Sequence, residues 1–176
     1  SNVTSWKSAY KAIIENEFDD KIVAFQEHRL GNRAATNNAG THASRYGFRT
    51  SFSLGSITIN GGVSSGVGFM WPKHVQVHNP GRMFNEPRIF SIEVPHAVFG
   101  VMTIISFYGT TGDQEGTYTN LRRILDKLEA TRCPYVVCGD FNIDVGLVSD
   151  KLISWKLRAI TINGGLSCFS KGTVSK

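Results

Sequence analysis

The sequence predicts a layered α/β or α+β sandwich, and three observations lead there. Alternating apolar runs follow one another through the middle of the chain, at 47–59 ("GFRTSFSLGSITI"), 66–78 ("GVGFMWPKHVQVH"), 87–94 ("PRIFSIEV") and 98–109 ("VFGVMTIISFYG"). Alternation of this kind marks strands with a buried face. Two further runs, "KIVAFQEHR" at 21–29 and "YVVCGDFN" from Tyr135, carry the β-branched apolar residues of buried strands. A long helix follows the antiparallel strands, so the order does not repeat as the βαβ units of a Rossmann sheet.

Each element has its own reason. Trp6, Tyr10, Ile13, Ile14 and Glu17 keep helical spacing, and Ser5 can cap them, so 5–17 is expected to be an amphipathic helix. "FDD" breaks that pattern, and 21–29 follows as a strand ending in polar residues, with Gln26 and Glu27 emerging at its end. Residues 32–42 are polar and rich in Gly, Asn and Thr, which predicts a loop. The strands at 87–94 and 98–109 read as a hairpin turning at Pro95 and His96. In the helix at 117–131, Leu121, Ile124, Leu125 and Leu128 form the buried stripe. Arg122, Arg123 and Lys127 lie outside that stripe; they could touch phosphates, but a solvated basic face is the plainer reading. A further helix is expected at 148–158 and a short strand at 160–162.

Composition bounds the function. With 176 residues, 41% of them hydrophobic, the chain suits a single globular domain with a substantial core. Charged residues make up 19%, and no low-complexity tract occurs, which argues against wholesale disorder. No apolar run reaches the roughly 20 residues that span a bilayer. The start "SNVTSWKSAY" lacks a signal-peptide apolar region and an initiator Met, so it reads as processed or cut from something longer. The net charge of +5 tilts modestly towards a polyanionic partner such as nucleic acid or anionic lipid. Cys133, Cys138 and Cys168 form no C-x-x-C pair; reduced thiols in an intracellular, reducing compartment are expected.

Chemistry concentrates at two strand ends. In "CGDFNID", Asp140 and Asn142 stand two apart, so on a strand they share a face while Phe141 turns to the core. A carboxylate beside a carboxamide suits a phosphate and its attacking water: one orients or deprotonates the water, the other donates to an oxyanion. The same spacing also suits a strand exit closed by an Asx turn. Glu27 at the end of "AFQE" is a carboxylate placed for Mg²⁺, which takes one or two protein carboxylates and keeps waters and phosphate oxygens. Its plainer alternative is a surface pair with Arg29. The histidines offer less: His42 falls in the expected loop, and His74 and His78 lie in a strand-like stretch. "NGGVSSGVG" lacks the Gly-Lys-Ser/Thr of a P-loop and reads as a hairpin turn.

With these residues in view, "SNVTSW", "IVAFQEHR", "SSGVGFMWP", "ISFYG" and "VVCGDFNID" resemble, in order and spacing, the endonuclease/exonuclease/phosphatase superfamily. That superfamily includes apurinic endonucleases, pancreatic deoxyribonuclease, sphingomyelinases, inositol-polyphosphate phosphatases and retroelement endonucleases. The texture of "AFQEHRL" and "GLSCFSKGTVS" is most similar to the retroelement type. The resemblance implies a four-layer α/β/β/α sandwich with its site at one rim, and Mg²⁺- or Mn²⁺-dependent hydrolysis of phosphodiesters, most simply as an endonuclease on nucleic acid. It implies that Asn2 and Glu27 lie at the metal, with Asn2 also near the phosphate. Tyr108 and Asn142 contact the phosphate, and Asp140 orients the water.

The pattern also departs from the family. The closing S-x-I-D and S-D-H motifs do not occur before Lys176, so the C-terminal part of the sandwich is expected to be missing over 1–176. An uncovered sheet face or edge that a protein partner could cover is then expected. Loss of the motif's His predicts weak activity or none, by about 10² to 10⁴ in rate. The alternative function is a non-catalytic descendant serving as a scaffold or binding subunit. "YGTTG" also lacks the proline that commonly follows the family's Tyr.

Overall fold

The computed structural model describes Trp6, Tyr10, residues 20–131 and 133–155, and the backbone of two further strands at 158–162 and 166–170. The helix expected over 5–17 lies outside the described residues apart from Trp6 and Tyr10, which are both helical.

Two sheets are stacked between helices. The first holds β1 (Val23–Gln26), β5 (Val67–Pro72) and β2 (Phe48–Phe52), in the order β1-β5-β2 and antiparallel throughout. The second holds β6 (Asn85–Glu86), β7 (Ile89–His96), β8 (Gly100–Tyr108) and β9 (Tyr135–Asp140), in sequence order. β7 and β8 are antiparallel, whereas β8 and β9 run parallel, joined by the crossover helix α2 (Gln114–Thr131). Helix α1 (Arg33–Arg45) covers the first sheet, and α3 (Val145–Ser154) joins α2 over the second. Two small antiparallel pairs complete the described chain: β3 (Ser56–Ile57) with β4 (Val63–Ser64), and β10 (Arg158–Ile162) with β11 (Leu166–Ser170).

Side-chain alternation builds the layers. Val23, Phe25 and Met70 face the first helical layer, meeting Trp6, Tyr10 and Ala43. Ile22, Ala24, Val67, Phe69 and Trp71 point the other way, onto Phe90, Ile92, Val94 and Tyr108 of the second sheet. The back of that sheet, Ile89, Ile105, Phe107 and Val137, is covered by the stripe Leu121, Ile124, Leu125 and Leu128 of α2 and by Val148 and Leu152 of α3. The order helix, sheet, sheet, helix is the expected four-layer sandwich. No helix among the described residues is long and apolar enough to cross a membrane.

Several boundaries differ from expectation. The predicted loop at 32–42 is helical, and His42 with it. Asn32 caps α1 by accepting from Ala35 N–H at 2.8 Å, and the helix packs through Ala39 and Ala43, residues too small to print an apolar stripe. The single strand expected at 47–59 is broken after Phe52, where Ser53 turns its hydroxyl onto the Val67 carbonyl. The strand expected at 66–78 stops at Pro72, which ends ladder donation; beyond it His78 bridges Glu93 alone. Pro95 and His96 belong to β7, paired with Val101 and Gly100, so the hairpin turns at 97–99 instead. There the His96 ring accepts from the N–H groups of Val98 and Phe99. α2 starts three residues early because Asp113 accepts from Gly116 N–H at 2.8 Å. α3 runs over 145–154 because Asp144 caps its start, and the β-branched Ile160, Thr161 and Ile162 continue as β10.

Candidate active site

Strand pairing brings the two chemical strand ends level. β8 and β9 run parallel with Tyr108 opposite Asp140. Gly139, at φ +148°, lets them approach so closely that a Cβ there would collide with the Phe107 carbonyl oxygen. β9 ends at Asp140, and its Oδ1 accepts the Asn142 N–H at 2.9 Å. That is an Asx turn, and it holds Asn142 at φ +51°. Asn142 therefore joins Asp140 through the turn and not, as strand alternation predicted, by sharing a strand face. Phe141 does go inward, its ring 5.2 Å from Phe107. The Asn142 Nδ2 donates to the Gly109 carbonyl at 2.8 Å, and Gly109 N–H donates to the Asp140 carbonyl at 2.8 Å, so the loop after β8 and the turn after β9 are stitched together.

From the facing sheet comes Glu27. It follows β1 with φ +59°, a left-handed conformation that swings its side chain out of the strand's alternation. Gln26 does not emerge beside it. It shares the inward face of Ile22 and Ala24, is buried, and donates to Ser106 Oγ of β8 at 3.0 Å. His28 is buried too, with Nδ1 accepting Leu30 N–H at 3.0 Å and Nε2 facing the Val67 carbonyl at 3.3 Å. Burial pushes its pKa down to about 4, against a smaller pull upward from the carbonyl contacts. Only Gly66 fits beneath that ring. Glu27 is thus flanked by two anchored residues, one tied to each sheet.

The Tyr108 hydroxyl closes the group. It meets the side chains of Glu27, Asn142 and Thr111. Burial, and then the Glu27 carboxylate, raise its pKa, while Asn142 and Thr111 pull the other way. The phenol therefore stays a proton-bearing donor at neutral pH. Four of the five residues expected at a site, Glu27, Tyr108, Asp140 and Asn142, are brought together at one rim; Asn2 lies outside the described residues. Glu27 also has its plainer partner, Arg29, at 4.0 Å, a distance at the limit of an ion pair.

Two neighbours were not legible in the sequence. Thr111 sits beside the phenol. Arg88 places its guanidinium carbon 4.8 Å from the Tyr108 ring centroid and donates through Nη1 to the Gly109 carbonyl at 2.9 Å. The signal for Arg88 is register: once Ile89 is paired with Phe107, Arg88 falls level with Tyr108.

Glu27 and Asn142, which meet at the Tyr108 hydroxyl, and Asp140, level with Tyr108 on the next strand, offer oxygen as metal ligand, while the imidazole of His28 is committed to backbone groups in the core. Such a set suits a hard cation of the Mg²⁺ or Mn²⁺ kind. Among the described residues no three His, Cys, Asp or Glu side chains cluster as a metal cage. An ion here would be held by one or two carboxylates, with waters and substrate oxygens completing its shell.

The fold and this rim define the class: a four-layer α/β/β/α sandwich with carboxylate, carboxamide and phenol gathered at the strand ends. The sequence profile of the Endonuclease/Exonuclease/phosphatase family matches residues 3–153, and the chain belongs to that family. The family is one of phosphodiester hydrolases, generally metal-dependent. No curated protein matches the sequence at a significant level. Among solved structures, the human Nocturnin catalytic domain is similar over 97% of this chain and 80% of its own, at 13% identity and TM-score 0.57. The endonuclease domain of TRAS1, a telomere-specific non-LTR retrotransposon, is similar over 97% and 79%, at 15% identity and TM-score 0.58. An AP endonuclease from Archaeoglobus fulgidus is similar over 86% of this chain and 60% of its own, at 22% identity and TM-score 0.56. These likenesses are likenesses of fold.

Proposed function

We propose that this chain is a metal-dependent phosphodiesterase domain that cuts nucleic acid as an endonuclease. The observation that carries the reading is the meeting of Glu27, from one sheet, with Tyr108, Asp140 and Asn142, from the other. Asp140 is anchored through Oδ1 and presents a carboxylate that orients a water and takes its proton as the oxygen attacks phosphorus. The ester P–O bond opposite the incoming oxygen breaks, and the departing alkoxide takes a proton from solvent water. Tyr108 donates its phenolic proton in a hydrogen bond to a phosphoryl oxygen. Asn142, pinned by one amide N–H on Gly109, holds its carboxamide against the Tyr108 hydroxyl, and a phosphoryl oxygen entering beside that hydroxyl would take over the second N–H. Glu27, together with Asn2, is the proposed holder of Mg²⁺ or Mn²⁺. When bound, that ion neutralises the charge that builds on the phosphoryl group.

The test is nicking of supercoiled plasmid DNA in Mg²⁺ or Mn²⁺. Glu27→Gln and Asp140→Asn are expected to slow it by about 10² to 10⁴ while the melting temperature stays near the wild-type value. Cleavage that neither substitution slows removes the proposal. Because weak activity is expected without the closing motif's His, only binding with no cleavage in either metal at high protein concentration and long incubation supports the non-catalytic alternative instead, and hydrolysis confined to inositol phosphates or sphingomyelin replaces the nucleic-acid substrate.

A further inference from the structure

This inference rests on the phosphodiesterase reading and narrows its substrate. Arg88 is half-buried and fixed at two points, on the Tyr108 ring and on the Gly109 carbonyl that also receives Asn142. A guanidinium carries five N–H donors, and the Gly109 bond uses one. Among the described residues the ion pairs are Arg29 with Glu27, Arg122 with Asp126, and Arg123 with Glu86; neither Arg88 nor Arg33 is in one. The acid closest in sequence to Arg88, Glu86, is clasped by Arg123 at 2.6 and 2.7 Å. That clasp holds the Glu86 carboxyl below its ordinary range.

The strand order turns these cations into a row. β1 packs against β8 and β9, and β5 against β7. Along the rim the centre at Glu27 and Tyr108 comes first. Next are Gly66 and Pro87, joined by a 2.9 Å backbone bond, and Arg88 beside them. Beyond lies a recess of about 350 Å³ whose lining includes Arg33, Phe52, Leu54, Asn85 and Pro87, and no carboxylate. Strands lie about 4.8 Å apart, so three of them span roughly 10 Å of rim. That is more than one phosphate group fills. We propose that this stretch of rim carries the polynucleotide strand flanking the scissile phosphate, with Arg88 and Arg33 each contacting one backbone phosphate.

The experiment is binding of a fluorescent duplex oligonucleotide in EDTA, so that nothing is cut, as salt is varied. Each phosphate contact contributes about 0.9 to the slope of log K against log salt. Arg88→Ala and Arg33→Ala are each expected to lower the slope by about that amount, with Arg88→Lys keeping it. Arg122→Ala, on the outer helix and paired with Asp126 at 2.8 Å, is expected to leave it unchanged. Arg88→Gln, which keeps a donor for Gly109, serves if Arg88→Ala does not fold. An unchanged slope in either the Arg88 or the Arg33 variant overturns the strand path and leaves the nucleic-acid reading standing. Wild-type binding without salt dependence removes both.

Discussion

Gly139 shows how little freedom one position near the site retains. Its φ of +148° is a conformation that side-chain-bearing residues avoid, and a Cβ would strike the Phe107 carbonyl of the next strand. Backbone strain and overpacking act together, so Gly139→Ala is expected to cost about 2–4 kcal/mol, read from urea unfolding. The glycine of "CGDFN" is thus a packing requirement of the β8–β9 pair that sets Tyr108 against Asp140. His28 makes a second residue-scale prediction. Folded, it stays neutral down to a pKa of about 4; unfolded, it takes a proton near 6.5. Between those values the unfolded chain binds more protons, so stability falls as pH drops from about 6.5 towards 4, and above 6.5 the contribution is complete. The loss is about 2–3 kcal/mol across that window. Carboxylates titrate nearby, so the measurement is a difference: unfolding free energy at pH 7 and pH 5 should change less in His28→Gln than in the wild type. Equal changes in the two proteins would contradict the assignment.

At the scale of elements, legibility followed side-chain size. The stripe Leu121, Ile124, Leu125 and Leu128 announces α2 because large apolar residues at helical spacing leave a strong periodic trace. α1 leaves none: "RAATNNAGTHASR" buries only Ala39 and Ala43, and Gly40 lets it lie close to Thr50 of β2. Small residues permit close helix–sheet packing, and hydropathy cannot see them. The strands were legible by alternation, yet their ends were not. Ends depend on single bonds such as Ser53 Oγ to the Val67 carbonyl, and those need the partner strand to be known. The candidate site divides along the same line. Glu27, Asp140 and Asn142 stood out because acids and amides at the ends of apolar runs are chemically conspicuous. Arg88 did not, since an arginine after a proline has no local mark; only the β7–β8 register sets it beside Tyr108.

For the molecule as a whole, the question is what keeps two sheets in register when the reacting groups are divided between them. Most of the interface is apolar, Val67, Phe69 and Trp71 against Phe90, Ile92 and Val94, and apolar packing fixes spacing better than it fixes sliding. Directional contacts are few: the Gly66 N–H donates to the Pro87 carbonyl at 2.9 Å, and among buried side chains Gln26 meets Ser106. Both are buried, the amide donates to the hydroxyl at 3.0 Å, and the hydroxyl faces the Phe25 carbonyl at 3.4 Å. Gln26 immediately precedes Glu27, and Ser106 lies two residues before Tyr108, so the bond spans the sheets next to the candidate centre. Ser106→Ala leaves the Gln26 amide without this partner, and a buried unsatisfied group costs about 1–3 kcal/mol. Replacing both partners by apolar residues, Gln26→Leu with Ser106→Ala, removes the orphan and is expected to restore most of that stability in urea unfolding. If the bond also sets the position of Glu27, plasmid nicking should remain depressed in the double variant although its stability has returned. Full recovery of nicking alongside stability would show that the two sheets keep catalytic register without the Gln26–Ser106 bond.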